Sequence, residues 1–269
     1  MNNMDLRRFA SLFKPRWWPV LFVHCLAGFA VMERAELLDM GWGAWLRAGM
    51  AGLIWTVLLA GPASALALVF CDGAEGESSG KERVGWVAIV MVLAGLPLGL
   101  LVSWDYWDAY RVGIILLALY AAPPIRLRIR PVAAALVEAA GLGALTFFAG
   151  LATLGRISPA ADPAIPTYLF AFIFLYLAGR IASSDEQARS TPWIYWSAVG
   201  LGFAALAVAG VMMGNRWGAA LLLIPLCVWC VAGLDRFDRE YRERGGRWMT
   251  LTGAWLLTDV AVAFAAILR

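Results

Sequence analysis

Four charged clusters interrupt an otherwise apolar chain, and two of them place side chains where they could act on a phosphorylated substrate. Between Cys71 and Arg83 the run Asp72-Gly73-Ala74-Glu75-Gly76-Glu77 sets carboxylates at i, i+3 and i+5, with Lys81 and Arg83 close behind. If the preceding helix continues, Asp72 and Glu75 share one face. Two such carboxylates can hold Mg2+ through one or two ligands while substrate phosphates complete the octahedron, and the nearby cations neutralise the remaining phosphate charge. A solvated, charged loop fits the same spacing. In the second cluster Pro123-Pro124 ends a helix, and Arg126, Arg128 and Arg130 then alternate with Ile125, Leu127 and Ile129. As an extended segment this would present guanidinium groups on one side and apolar side chains on the other. Simple basic anchoring at a membrane surface fits the pattern equally well. The third cluster, from Arg180 to Pro192, contains Asp185 and Glu186, which are adjacent and so project in different directions. The fourth, Asp235 to Arg247, alternates sign in the manner of a salt-bridged, solvated helix end. Glu138 and Asp259 stand alone inside apolar stretches, where an ionisable group is expensive and marks a candidate site.

These clusters are positioned by a membrane-embedded framework. The chain is 62% hydrophobic, against roughly 45–50% in a soluble domain, and its mean hydropathy is +0.72. Such a chain has too little polar surface to cover itself with water. Nine stretches are apolar enough to cross a hydrocarbon layer of about 30 Å. They are Trp17–Met32, Trp45–Phe70, Val84–Val102, Ala109–Ala122, Val132–Leu154, Ile165–Ile181, Trp193–Met213, Trp217–Gly233 and Trp248–Leu268. Trp side chains recur at their ends, as expected for amphipathic rings at headgroup depth. With nine spans, 16 of the 22 Lys and Arg residues fall on the side of the N-terminus and 6 on the other, which makes the N-terminus cytoplasmic and the C-terminus external. The expectation is a single all-α polytopic membrane domain over residues 1–269, in the inner (plasma) membrane of a bacterium, with membrane lipid around it and no nucleic-acid partner. The basic N-terminus is read as leading into a retained first span rather than a cleaved signal. Charged clusters one and three, and two and four, are each separated by four helices. That spacing suggests two four-helix units in parallel orientation plus a ninth helix. Cys227 and Cys230 form a CxxC inside an apolar helix and are read as packing residues, as is the lone His24, since a single imidazole cannot make a metal site.

The motifs also carry a family resemblance. Tyr120-Ala121-Ala122-Pro123-Pro124-Ile125-Arg126-Leu127-Arg128 resembles the Tyr-Ser-x-Pro-Pro-x-Arg-Leu-Lys segment of the UbiA superfamily of intramembrane prenyltransferases. Gly61-Pro62, leading to Cys71-Asp72-x-x-Glu75 and then Arg83, is similar to that family's Gly-Pro helix running into Asn-Asp-x-x-Asp-x-x-x-Asp-x-x-x-Arg, with Cys71, Glu75 and Ser79 as departures. Lys14-Pro15-Arg16-Trp17-Trp18 resembles the family's basic entry to span one. The resemblance implies a nine-helix bundle around a cavity open to the cytoplasm and sideways to lipid. It implies a prenyl diphosphate as donor, an aromatic or other lipophilic acceptor, and Mg2+ as cofactor. Asp72, Glu75 and Asp185 would be the metal residues. Asp72, Glu75 and Tyr120 would be catalytic, and Lys81, Arg83, Arg126 and Arg128 would hold the diphosphate. Two alternatives stand beside it. One is a non-catalytic member of the same fold that binds a lipid or a partner membrane protein. The other is a transporter, whose helix breaks would fall at Pro97 and Pro225.

Overall fold

In a computed structural model of the chain, residues 13, 17–32, 39–71, 78–155, 164–183, 192–214, 221–234 and 246–267 are described. Among them there are nine helical rods and no strand. The first, α1, is Trp18–Met32. α2 is built of Trp42–Leu53, a π-helical stretch Ile54–Ala60, and Gly61–Cys71. α3 is Ser78–Val102 and α4 is Trp104–Ala121. α5 runs through Pro131–Glu138, a second π-helical stretch Ala139–Leu145, Thr146–Leu151 and a closing 3-10 turn Ala152–Leu154. α6 is Ala164–Ser183, α7 Pro192–Met212, α8 Leu223–Leu234 and α9 Gly246–Ile267. Six of these are long and apolar enough to span a bilayer by length and composition, α1 and α8 being shorter apolar helices. The outer face carries Leu101, Val132 and Phe264, each more than half exposed, which suits contact with lipid and would be a liability in water.

The helix boundaries follow from local chemistry. α4 begins five residues before the apolar stretch, because Ser103 caps it and its hydroxyl accepts from the Tyr106 N–H at 3.0 Å. Asp105 in the first turn complements the positive end of the helix dipole. Neither proline expected as a transporter-type break acts as one. α3 runs on through Pro97, and Pro225 lies in the first turn of α8, where its missing N–H is not needed. The irregular points are the two π-helical stretches instead.

Sequential helices are neighbours, and α1 also packs against α5 through the middle of the bundle. Two glycines make that crossing: a Cβ on Gly28 would lie 2.0 Å from the Phe147 carbonyl oxygen, and one on Gly150 would lie 1.8 Å from that of Cys25. On one side of the crossing, α1 to α5 enclose a core around Trp55, Tyr106 and Tyr110. On the other, α1 and α5 to α9 enclose Phe147, Phe172, Trp229 and Trp255. α1 and α5 are the corresponding helices of a four-plus-four arrangement, so the two units meet back to back, and α9 closes the second against α1 and α8.

A candidate site at one end of the bundle

Hydrogen bonds fix which helix ends lie together. At the far end of α5, the Ala152 carbonyl accepts from Ser103 Oγ at 2.5 Å, so the α3–α4 junction lies at that end. The opposite end therefore gathers the end of α2, the start of α3, the end of α4 and the start of α5. The last turn of α6 joins them, because Arg180 Nε reaches Glu138 Oε2 at 3.1 Å.

Glu138 is the organising residue there. Its Oε1 accepts from the Tyr120 hydroxyl of α4. Its Oε2 accepts from the Tyr176 hydroxyl at 3.3 Å and pairs with Arg180, both on α6. Three helices are thus tied to one carboxylate. Sequence singled out Glu138 by its cost, with bonding to a neighbouring backbone as the bland outcome; the structure gives it side-chain partners throughout. Tyr176 and Arg180 were missed as site residues. The available signal was their i, i+4 spacing on one face of an apolar helix ending in an arginine.

The basic segment differs from its expected form. Instead of an extended strip, Leu127–Ile129 is a 3-10 turn, with the Ile129 N–H donating to Arg126 O and the Arg130 N–H to Leu127 O. Its three-residue period replaces the period of two that alternation required. Arg126 and Arg128 are accordingly half-buried, while Ile125 and Ile129 are exposed. The turn packs against α2, α4 and α5. Arg126 sits in the left-handed region at φ 42, ψ 55, a conformation that costs a non-glycine residue about 1–2 kcal/mol. Its Nε is buried and has no hydrogen-bond partner among the described residues. A guanidinium with a buried, unmet donor can pair with an anion. Arg128 lies within electrostatic range of Tyr120, which joins the turn to the Glu138 cluster.

Of the other residues expected at the site, Arg83 is exposed near the start of α3, and Lys81 lies one turn into that helix. Asp72, Glu75 and Asp185, and the fourth charged cluster apart from its last two residues, lie outside the described residues. The chain fixes only their approach: Asp72 follows the last residue of α2, and Asp185 comes two residues after the end of α6. Among the described residues no group of three His, Cys, Asp or Glu could hold a metal. Glu138 is committed to a cation and two hydroxyls.

No protein family model matches the chain, and no curated protein sequence does. Solved structures do. The chain superimposes on digeranylgeranylglyceryl phosphate synthase with a TM-score of 0.59 at 11% identity, over 97% of this chain and 98% of that one. It superimposes on a UbiA homolog from Archaeoglobus fulgidus, bound to DMAPP and Mg2+, with a TM-score of 0.58 at 16% identity, over 96% and 98% of the two chains. The protein is an integral membrane protein, and it shares the fold of these UbiA-type structures.

Proposed function

We propose that this is a UbiA-type intramembrane prenyltransferase, moving a prenyl group from a prenyl diphosphate to a lipophilic, aromatic acceptor. One observation carries the reading. Arg126, strained and with a buried unmet donor, lies in the turn that joins the Tyr120–Glu138–Tyr176–Arg180 cluster, at the end of the bundle where α2 and α6 lead into Asp72, Glu75 and Asp185.

Arg126, Arg128, Lys81 and Arg83 hold the diphosphate, and the low-dielectric surroundings strengthen each charge-assisted hydrogen bond. Tyr120, its hydroxyl committed to Glu138, positions the substrate near the allylic cation that develops as the carbon–oxygen bond breaks. Glu138 in turn keeps Arg180 at the rim as a further cation for the departing anion. Asp72, Glu75 and Asp185 would hold Mg2+, whose contribution when bound is to neutralise charge on the leaving diphosphate. The prenyl tail lies among the apolar helices, and the site faces the cytoplasm, the side that holds most of the basic residues.

The test is pyrophosphate release by purified full-length protein in lipid nanodiscs, with dimethylallyl, geranyl, farnesyl and geranylgeranyl diphosphates and phenol- or naphthol-class acceptors. Release that requires both Mg2+ and an acceptor supports the reading. Mg2+-dependent binding without turnover would move the protein to a lipid-binding role on the same fold. Absence of any Mg2+-dependent binding would remove the diphosphate site.

A further inference from the structure

A second polar group is sealed inside the half of the bundle that α6 to α9 complete. His24 of α1 and Asp259 of α9 are both 0% exposed, and Nδ1 lies 2.6 Å from Oδ1 although the residues are 235 positions apart. The other ring nitrogen, Nε2, is 2.7 Å from the Gly143 carbonyl oxygen. That carbonyl sits in the π-helical stretch of α5, where the widened turn frees a backbone acceptor. A carbonyl only accepts, so Nε2 carries a hydrogen. The Nδ1···Oδ1 contact then holds one shared proton, and the pair as a whole is neutral whichever atom carries it.

What the pair leaves over points to a ligand. Asp259 Oδ2, Trp255 Nε1 and Thr252 Oγ1 are buried and have no hydrogen-bond partner among the described residues. Elsewhere in the same core the polar atoms are met: Trp229 Nε1 donates to Thr258 at 3.2 Å, and the Tyr195 hydroxyl donates to the Trp229 carbonyl at 2.7 Å. The three leftover atoms follow i, i+3, i+7 spacing, which makes one stripe along α9, running inward from the end of the bundle that holds the candidate site. Oδ2 is an acceptor and Nε1 a donor, and each stranded group costs about 1–3 kcal/mol. A hydroxyl, which donates and accepts at once, satisfies both. The surrounding surface is aromatic, with Phe172 and Trp255 edge-on to the imidazole at 4.4 and 5.1 Å between centroids. One ring contact links it to the candidate site. Tyr176, whose hydroxyl bonds Glu138, sets its ring 6.2 Å from that of Trp255 at 86°.

We propose that Asp259 Oδ2 and Trp255 Nε1 form the subsite for the hydroxyl group of an aromatic ligand, which under the prenyltransferase reading is the acceptor, with His24 holding the carboxylate in place. Naming the ligand as acceptor rests on that reading; its chemistry, an aromatic ring bearing a hydroxyl, does not. A single bound water offers the same hydroxyl chemistry, so the experiment separates the two sources.

Full-length protein carrying 15N-indole tryptophan is placed in nanodiscs without diphosphate or Mg2+, and the Trp255 N–H resonance is assigned with Trp255→Phe. The probes are 2-naphthol and 2-methoxynaphthalene, which differ in the proton that Oδ2 would accept. 2-Naphthol is expected to shift the Trp255 resonance saturably and to bind about tenfold more tightly than the methoxy compound. Trp255→Phe, read through the N–H resonance of the neighbouring Trp229, whose ring lies 6.3 Å from that of Trp255, is expected to weaken 2-naphthol by about fivefold. Asp259→Asn places an amide donor where Oδ2 accepted, and erases the preference for the hydroxyl. Equal affinity of the two probes for the parent, or no shift with either because water alone fills the site, overturns the proposal. Should Asp259→Asn fail to fold, Trp255→Phe decides by itself, since it removes one N–H from a ring-filled position. Naphthol discrimination that persists where no prenyl diphosphate is turned over leaves the subsite standing and strikes the prenyltransferase reading. The reverse pattern strikes the subsite alone.

Discussion

Glu138 and Asp259 are the two carboxylates that sequence places within apolar spans, and they have opposite surroundings. Glu138 lies two turns into α5, its side chain 15% exposed, and both of its oxygens are engaged by two tyrosines and an arginine whose own side chain is 47% exposed. Asp259 is fully buried, has a histidine on one oxygen and no described partner on the other. The first is an anion balanced at the rim, where a substrate's charge can redistribute it. The second is half of a neutral pair with hydrogen-bonding capacity to spare. A carboxylate inside an apolar helix can therefore be fully engaged at the rim or half-engaged at depth, and its partners decide which.

Removing a partner from the deep pair should have the largest effect. His24→Phe strands Asp259 in an apolar core and should cost about 3–5 kcal/mol of stability, whereas His24→Phe combined with Asp259→Leu should recover much of it. Unfolding midpoints of the single and double variants check this, and a double variant no better than the single would mean that the pair is not the source of the loss. Next comes Asp72→Asn, which should lower prenyl transfer by about 10²–10³-fold, the size of one lost stabilising contact to developing charge in a dry site. Turnover at parental level would show that the first acidic cluster is not the metal site.

Glu138→Gln is a smaller perturbation, because the amide still bonds a tyrosine and Arg180 is exposed enough to be hydrated. Turnover should fall by about tenfold, with stability moving by no more than about 1 kcal/mol. A stability loss matching that of His24→Phe would erase the distinction between rim and depth. Smallest of all, Asp238→Asn in the fourth charged cluster should leave turnover within about twofold of the parent, as for a solvated surface change. If it proves the more damaging of the acidic substitutions, the second metal-binding carboxylate belongs to that cluster and not to Asp185. A cysteine at Gln187 or Gly245 should resist labelling from outside the cell, and modification there would reverse the assigned orientation.

The helical framework was legible because its signals are local and additive. Continuous apolar stretches, tryptophans at their ends and basic residues on one side required no knowledge of packing, and the nine stretches correspond to the nine rods. Where the apolar pattern misplaced an edge, as at Trp104, the cause was a polar cap lying outside any hydropathy window. The conformation of the arginine segment was misread because alternation fits a strand, and nothing in Arg126 announces a left-handed backbone. His24 was read as packing because its carboxylate lies on the last helix, far beyond the reach of any spacing rule. The π-helical stretches left no local mark either. They become intelligible only through side-chain bonds, one across helices from Trp55 to Thr146 at 2.9 Å and one within α5 from Thr146 to the Gly141 carbonyl at 3.1 Å.

The glycine crossing of α1 and α5 bears on how the molecule can move. With carbonyl oxygens occupying the places of side chains at Gly28 and Gly150, neither helix can slide or swivel past the other without a backbone clash. A carrier that works by rocking one half against the other needs a lubricated seam along that boundary. Here the boundary is interlocked at Gly28 and Gly150, so rocking one half against the other would first have to part these two backbone contacts.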